Sequence, residues 1–139
     1  MMKRILIAVG VLLAFAGIFF ILRYSSYCDS DWVRTEFATL DEAKAANAFE
    51  RGWLPPVLPD GTTKIVEVND VEANFGEGSF IFPTESISAY LEAMQTAFGA
   101  TVAEGTTGIR VQITLEATHW TIDLDQQAGL GKYAVELKR

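Results

Sequence analysis

The chain has one cysteine, one histidine and four prolines in 139 residues. A single cysteine excludes an internal disulfide framework, so Cys28 reads as an incidental free thiol. Cys28 and His119 together fall short of the three or four nitrogen or sulfur ligands that zinc takes. Basic residues are scarce as well: eleven lysines and arginines face 18 aspartates and glutamates, a formal charge of −7. Setting aside Lys3, Arg4 and Arg23 leaves eight bases against the same 18 acids in residues 29–139, a balance of −10. Such a surface repels phosphate backbones and anionic headgroups, which excludes nucleic acid as the partner. The sequence holds no internal repeat, no low-complexity segment and no nucleophile elbow.

Charge is missing altogether from residues 5–22, an unbroken apolar run framed by Lys3 and Arg4 before it and Arg23 after it. At about 1.5 Å per helical residue it would reach roughly 27 Å, close to the ~30 Å of a hydrocarbon core. The run predicts a transmembrane helix. A cleaved signal peptide would carry a shorter apolar region followed by small residues, and Arg23-Tyr24-Ser25-Ser26-Tyr27 offers none. A lipoprotein reading of Cys28 meets Tyr27 where a small residue belongs. The basic bias before the run places the N-terminus in the cytoplasm and the rest outside. The expected organisation is a cytoplasmic N-terminus over 1–4, the transmembrane helix over 5–22, a linker over 23–33 and an extracytoplasmic domain over 34–139. In a Gram-negative cell this is a single-pass inner-membrane protein with a periplasmic domain.

Within the domain, Thr39-Leu40-Asp41-Glu42 is a capping box that opens a helix through Ala43, Ala46 and Phe49, with Gly52 as its stop. Residues 53–59, with Pro55, Pro56 and Pro59, form an extended strap whose Trp53, Leu54, Val57 and Leu58 suit a core. Residues 64–71 and 78–82 read as strands. A second helix follows Pro83-Thr84, with Ile87, Tyr90, Leu91, Met94 and Phe98 on one face and Gly99 as its C-cap. Period-2 alternation then marks three strands: Ile109 to Leu115, Trp120 to Leu124 and Tyr133 to Leu137. The order α-β-β-α-β-β-β predicts an α+β two-layer sandwich, a five-stranded antiparallel sheet with two helices on one face.

The blocks Gly52-Trp53-Leu54-Pro55-Pro56-Val57-Leu58-Pro59, Asp70-x-Glu72-x-Asn74 and Phe80-Ile81-Phe82-Pro83 resemble a family of small bacterial envelope proteins to which no activity is assigned. The resemblance covers about a quarter of the chain, within residues 51–83. It implies a bacterial, membrane-associated protein and transfers no chemistry.

The constellations that could carry chemistry resolve into ordinary structure. Asp70, Glu72, Asn74 and Glu77 mimic the start of a calcium loop, but Phe75 stands where glycine is needed and Ile81 where glutamate is needed. A solvated hairpin turn is the better reading. His119 begins a strand, on one outward face with Asp123 and Asp125. Those carboxylates lack the desolvation that tunes an acid–base pair. Gly129-Leu130-Gly131-Lys132 precedes a strand rather than the helix of a phosphate loop, so it is a tight turn. No catalytic residue, metal or cofactor is expected.

Phe75 remains, a large aromatic placed by this reading in a hairpin loop. Most large aromatics fold back onto their own core, which is one reading of Phe75. The other is an exposed anchor, since exposed aromatics are over-represented among binding hot spots. Phe75 with Asp70, Glu72, Asn74 and Glu77 is therefore the candidate contact for an envelope protein partner. The expected function is a membrane-tethered, non-catalytic interaction module, with the membrane bound through residues 5–22. The alternative is an extracytoplasmic enzyme or small-ligand domain with a pocket between helices and sheet.

Overall fold

The alternating segments pair into one antiparallel sheet. The structure, a computed structural model, describes residues 32–104 and 108–138. They belong to one compact unit, Asp31–Arg139. In chain order the elements are β1 (Trp32–Thr39), α1 (Leu40–Ala45), β2 (Thr63–Asp70), β3 (Phe75–Ile81), a short 3-10 turn (Thr84–Ser86), α2 (Ile87–Phe98), β4 (Thr101–Glu104), β5 (Ile109–Leu115), β6 (Thr118–Asp125) and β7 (Leu130–Leu137). The spatial order is β1-β2-β3-β7-β6-β5-β4. Two meanders, β1–β3 and β4–β7, meet where β3 pairs with β7 from Phe75↔Glu136 to Ile81↔Leu130.

This corrects the expected architecture. The sheet has seven strands rather than five, and the domain is largely β rather than a five-stranded two-layer sandwich. The two strands that the pattern hides are both edges. β1 buries only Phe37 of its eight residues, and β4 has four residues with none fully buried. An edge strand contributes little apolar surface to a core, so alternation in its sequence is weak. β1 also begins at Trp32, inside the stretch read as a linker.

The expected transmembrane, single-pass character is likewise unsupported. Residues 5–22 lie outside the described residues. Among the described residues no helix is long and apolar enough to cross a membrane. The longest, α2, has 12 residues, about 18 Å against the ~30 Å that a span requires.

Local chemistry explains the helices. Thr39 Oγ1 accepts from the Glu42 N–H at 3.2 Å, and Glu42 Oε2 accepts from the Ala38 N–H at 2.8 Å. Thr39 thus caps the helix, while the glutamate reaches one residue further back than a standard capping box. α1 stops at Ala45, well before Gly52, because Asn47 takes a left-handed conformation at φ 51°. Asparagine tolerates that geometry and ends helices as glycine does. α2 ends at Gly99, at φ 63°.

α1 packs on β1 and β2, and α2 on β4 and β5. The strap, residues 46–62, crosses the same side with Leu54, Leu58, Pro55 and Pro59 buried. Its end is tied to α1 by the Leu40 N–H donating to the Thr62 carbonyl at 3.1 Å. Val111, Ile113, Trp120, Ile122, Leu124 and Val135 fill the core beneath them. Two glycines are required by close approach. The Tyr133 ring lies across Gly78 and the Phe80 ring across Gly131, where a Cβ atom would collide with each. The opposite, outer face is lined by exposed and half-buried residues, and among the described residues no helix covers it.

Candidate interaction surface

β2 is turned against its own hydrophobicity. Glu67 and Asn69 face the core at 1% and 4% exposure, while Val66 and Val68 face outward, half-buried. A one-residue change of register would exchange the two sets. The structure instead accepts a buried carboxylate, which is costly unless paired. Asn69 Nδ2 donates to Glu67 Oε1 at 2.6 Å, and Arg51 Nη2 of the strap lies 3.7 Å from Glu67 Oε2. The Arg51 guanidinium also sits 6.0 Å from the Phe37 ring centroid.

The outer face over β1–β3 gains those valines as its floor. In register across it run Trp32, Asp70, Phe75 and Glu136, then Arg34, Val68, Glu77 and Ala134, then Glu36, Val66, Ser79 and Lys132. Trp32 and Phe75 meet edge to face, with centroids 6.3 Å apart and planes at 79°. Asp70 pairs with both of them in the ladder and so stands between the two rings on the strand backbone. Arg34 binds Glu36 at 2.7 Å. A shallow depression of about 360 Å³ is lined by Arg34, Val66, Val68, Glu77, Gly78, Ser79, Lys132 and Tyr133.

Across β5–β7 the same face is polar, with Gln112, Thr114, Thr121, Asp123 and Lys132. Arg110 holds Asp123 with two bonds, at 2.7 and 2.9 Å. That pairing raises the Arg110 pKa, through the hydrogen bond first and the charge second. His119 Nδ1 lies 2.8 Å from Thr114 Oγ1 on the solvent side. Asp125 Oδ1 accepts from the Gln127 and Ala128 N–H groups in the β6–β7 turn. Gly129 sits there in the left-handed region at φ 63°.

The residues singled out in the sequence fall together at one end of β2 and β3, with one change of place. Phe75 is the first residue of β3, paired with Asp70 and Glu136, rather than part of the loop. It is half-buried against Trp32, a neighbour that sequence reasoning missed because β1 itself was missed. Asp70 Oδ1 accepts from the Ala73 N–H at 2.9 Å and so shapes the turn. Asn74, at φ 52°, closes that turn, and its carbonyl accepts from the Leu137 N–H at 3.0 Å. Glu72 lies exposed in the turn beside Val71, and Glu77 points out from β3.

Among the described residues no group of three or more histidine, cysteine, aspartate or glutamate side chains is placed to hold a metal. A groove of about 280 Å³ runs between α1 and the strap, lined by Leu40, Lys44, Phe49, Pro56, Val57, Leu58 and Asp60. Lys44 and Asp60 are the charged groups that it offers.

Comparison with known proteins adds one finding. Residues 31–81, which span β1 to β3, match the family model of the YbbD head domain. No curated protein and no solved structure matches the chain. The matched segment is the three-strand meander that carries Trp32, Phe75 and the outward valines. Over that segment the chain is similar to a bacterial family domain.

Proposed function

We propose that this domain is a non-catalytic interaction module of the bacterial envelope, on the extracytoplasmic side. It contacts a partner protein through the outer face of β1–β3. The observation that carries the reading is the orientation of β2, with Val66 and Val68 outward and Glu67 and Asn69 inward. An isolated domain would be expected to bury its valines; a face that a partner covers has reason to present them.

The Trp32–Phe75 pair supplies rigid aromatic area on the same face, the composition expected of a contact core. Asp70, Glu72, Glu77 and Glu136 surround it, so the matching surface would be apolar with a basic rim. The envelope location rests on the resemblance of residues 51–83 to envelope proteins and on the match to a bacterial head domain over residues 31–81.

The test is a pair of substitutions, Trp32→Ala and Phe75→Ala, in the full chain. Chemical cross-linking in cells should lose one defined adduct in both variants, while circular dichroism shows a folded β protein. An adduct pattern unchanged in both variants would remove this face from consideration.

A further inference from the structure

Among the described residues, the two edges of the sheet are unlike. β4 is four residues long, and α2 packs against it. β1 is eight residues long and contains neither proline nor glycine. Its pairing with β2 is regular from Trp32↔Asp70 to Phe37↔Ile65. Its outer edge therefore presents a row of backbone donors and acceptors ready to pair with another strand. Charged side chains commonly blunt such an edge, but here Arg34 and Glu36 neutralise each other at 2.7 Å. Trp32 and Val33, 43% and 53% exposed, lie on this strand as well.

We propose that β1 pairs antiparallel with β1 of a second copy of this chain, about a two-fold axis at Thr35. The charge pattern selects this register. With Thr35 opposite itself, Arg34 faces Glu36 of the partner subunit, and Glu36 faces Arg34 of the partner subunit. Centring the axis on Arg34 or on Glu36 instead would set like charges directly opposite, which is destabilising. Shifting by a single residue would join the core face of one copy to the outer face of the other. The interface is isologous and consumes the long edge of each copy, so assembly closes at two. It leaves the outer face of β1–β3 free and does not depend on the reading of that face.

The test uses the full-length chain carrying Cys28→Ser, with Thr35→Cys as a reporter of the axis. Directly opposed Cβ atoms in an antiparallel pair lie about 4.5–5.5 Å apart, near the span of a disulfide. Mild oxidation in cells should give a covalent dimer. Adding Arg34→Glu alone, or Glu36→Arg alone, should abolish the dimer. Mixing these two variants should restore it as a heterodimer, because one then carries only acids at the two positions and the other only bases. The chain carrying both changes should pair with itself and not with the unswapped chain. Restoration on mixing also demonstrates that both single variants are folded. Absence of any dimer with Thr35→Cys alone would overturn the proposal. So would a dimer indifferent to the single charge changes, or a mixture that behaves as its separate components do.

Discussion

Arg51 reaches over Glu67 with its Nη2 3.7 Å from Oε2, the arginine side chain 45% exposed and the glutamate 1% exposed. The pair fastens the proline-rich strap to the core face of β2. Among the described residues, Glu67 Oε2 and Asn69 Oδ1 have no hydrogen-bond partner. Removing Arg51 would strand a buried carboxylate. Breaking a fully buried pair costs about 3–5 kcal/mol, but half-exposure of Arg51 and its long contact reduce that. Arg51→Ala should lower stability by about 1–2 kcal/mol in urea unfolding. Adding Glu67→Gln should recover most of the loss, since the amide keeps an oxygen for Asn69 Nδ2 and carries no charge. A double variant as unstable as Arg51→Ala alone would show that the charge is not the cause.

Tyr133 is held neutral by its surroundings. Burial raises its pKa first, and the negative charge of Glu67 raises it further. Burial does the same to Tyr90. Both phenols are neutral in folded and unfolded chains below about pH 10, so their contribution is then fully present. Above that pH the unfolded chain ionises first, and stability falls as pH rises toward the folded values. Among the described residues the Tyr133 hydroxyl has no hydrogen-bond partner. Tyr133→Phe should therefore change stability at pH 7 by less than about 1 kcal/mol and flatten the decline above pH 10. Unfolding midpoints measured at pH 7 and pH 10.5 check both halves. A steeper alkaline decline in the variant would contradict the assignment.

Glu116 turns the chain between β5 and β6 at φ 53°, a region that costs a residue with a Cβ atom about 1–2 kcal/mol. Glycine avoids that strain but loses about 0.5–1 kcal/mol of chain entropy on folding. Glu116→Gly should thus stabilise by up to about 1 kcal/mol, read as a raised thermal midpoint. A lowered midpoint would mean that the Glu116 side chain contributes more than its strain costs.

β2 and β3 are legible from β-branched and aromatic content between turn residues, and the later strands are legible from their period-2 alternation. Val111, Ile113, Trp120, Ile122, Leu124 and Val135 alternate with polar residues and are buried as the period requires. β1 and β4 escape because an edge strand buries one face against little, leaving one buried apolar side chain in β1 and none in β4. Missing β1 also hides Trp32 as the partner of Phe75, since only the β1–β2–β3 register brings them together. The inversion of β2 is illegible for another reason. Ile65 and Val66 are equally apolar neighbours, and the Arg51–Glu67 pairing that accompanies the observed orientation is a tertiary contact that no local pattern displays. α1 ends early because Asn47 supplies a left-handed cap five residues before the glycine expected to do so.

Whether the outer face of β1–β3 meets a partner is tested most directly by site-specific photo-cross-linking in cells. A photoreactive residue replaces Glu77 on that face in one strain and Glu92, exposed on α2, in another. The expected result is a discrete adduct from position 77, absent from position 92 and lost when Val66→Thr and Val68→Thr are added to a chain that still folds. Adducts from position 92 alone, or from position 77 with full yield despite both threonines, would contradict a partner surface built on the outward valines.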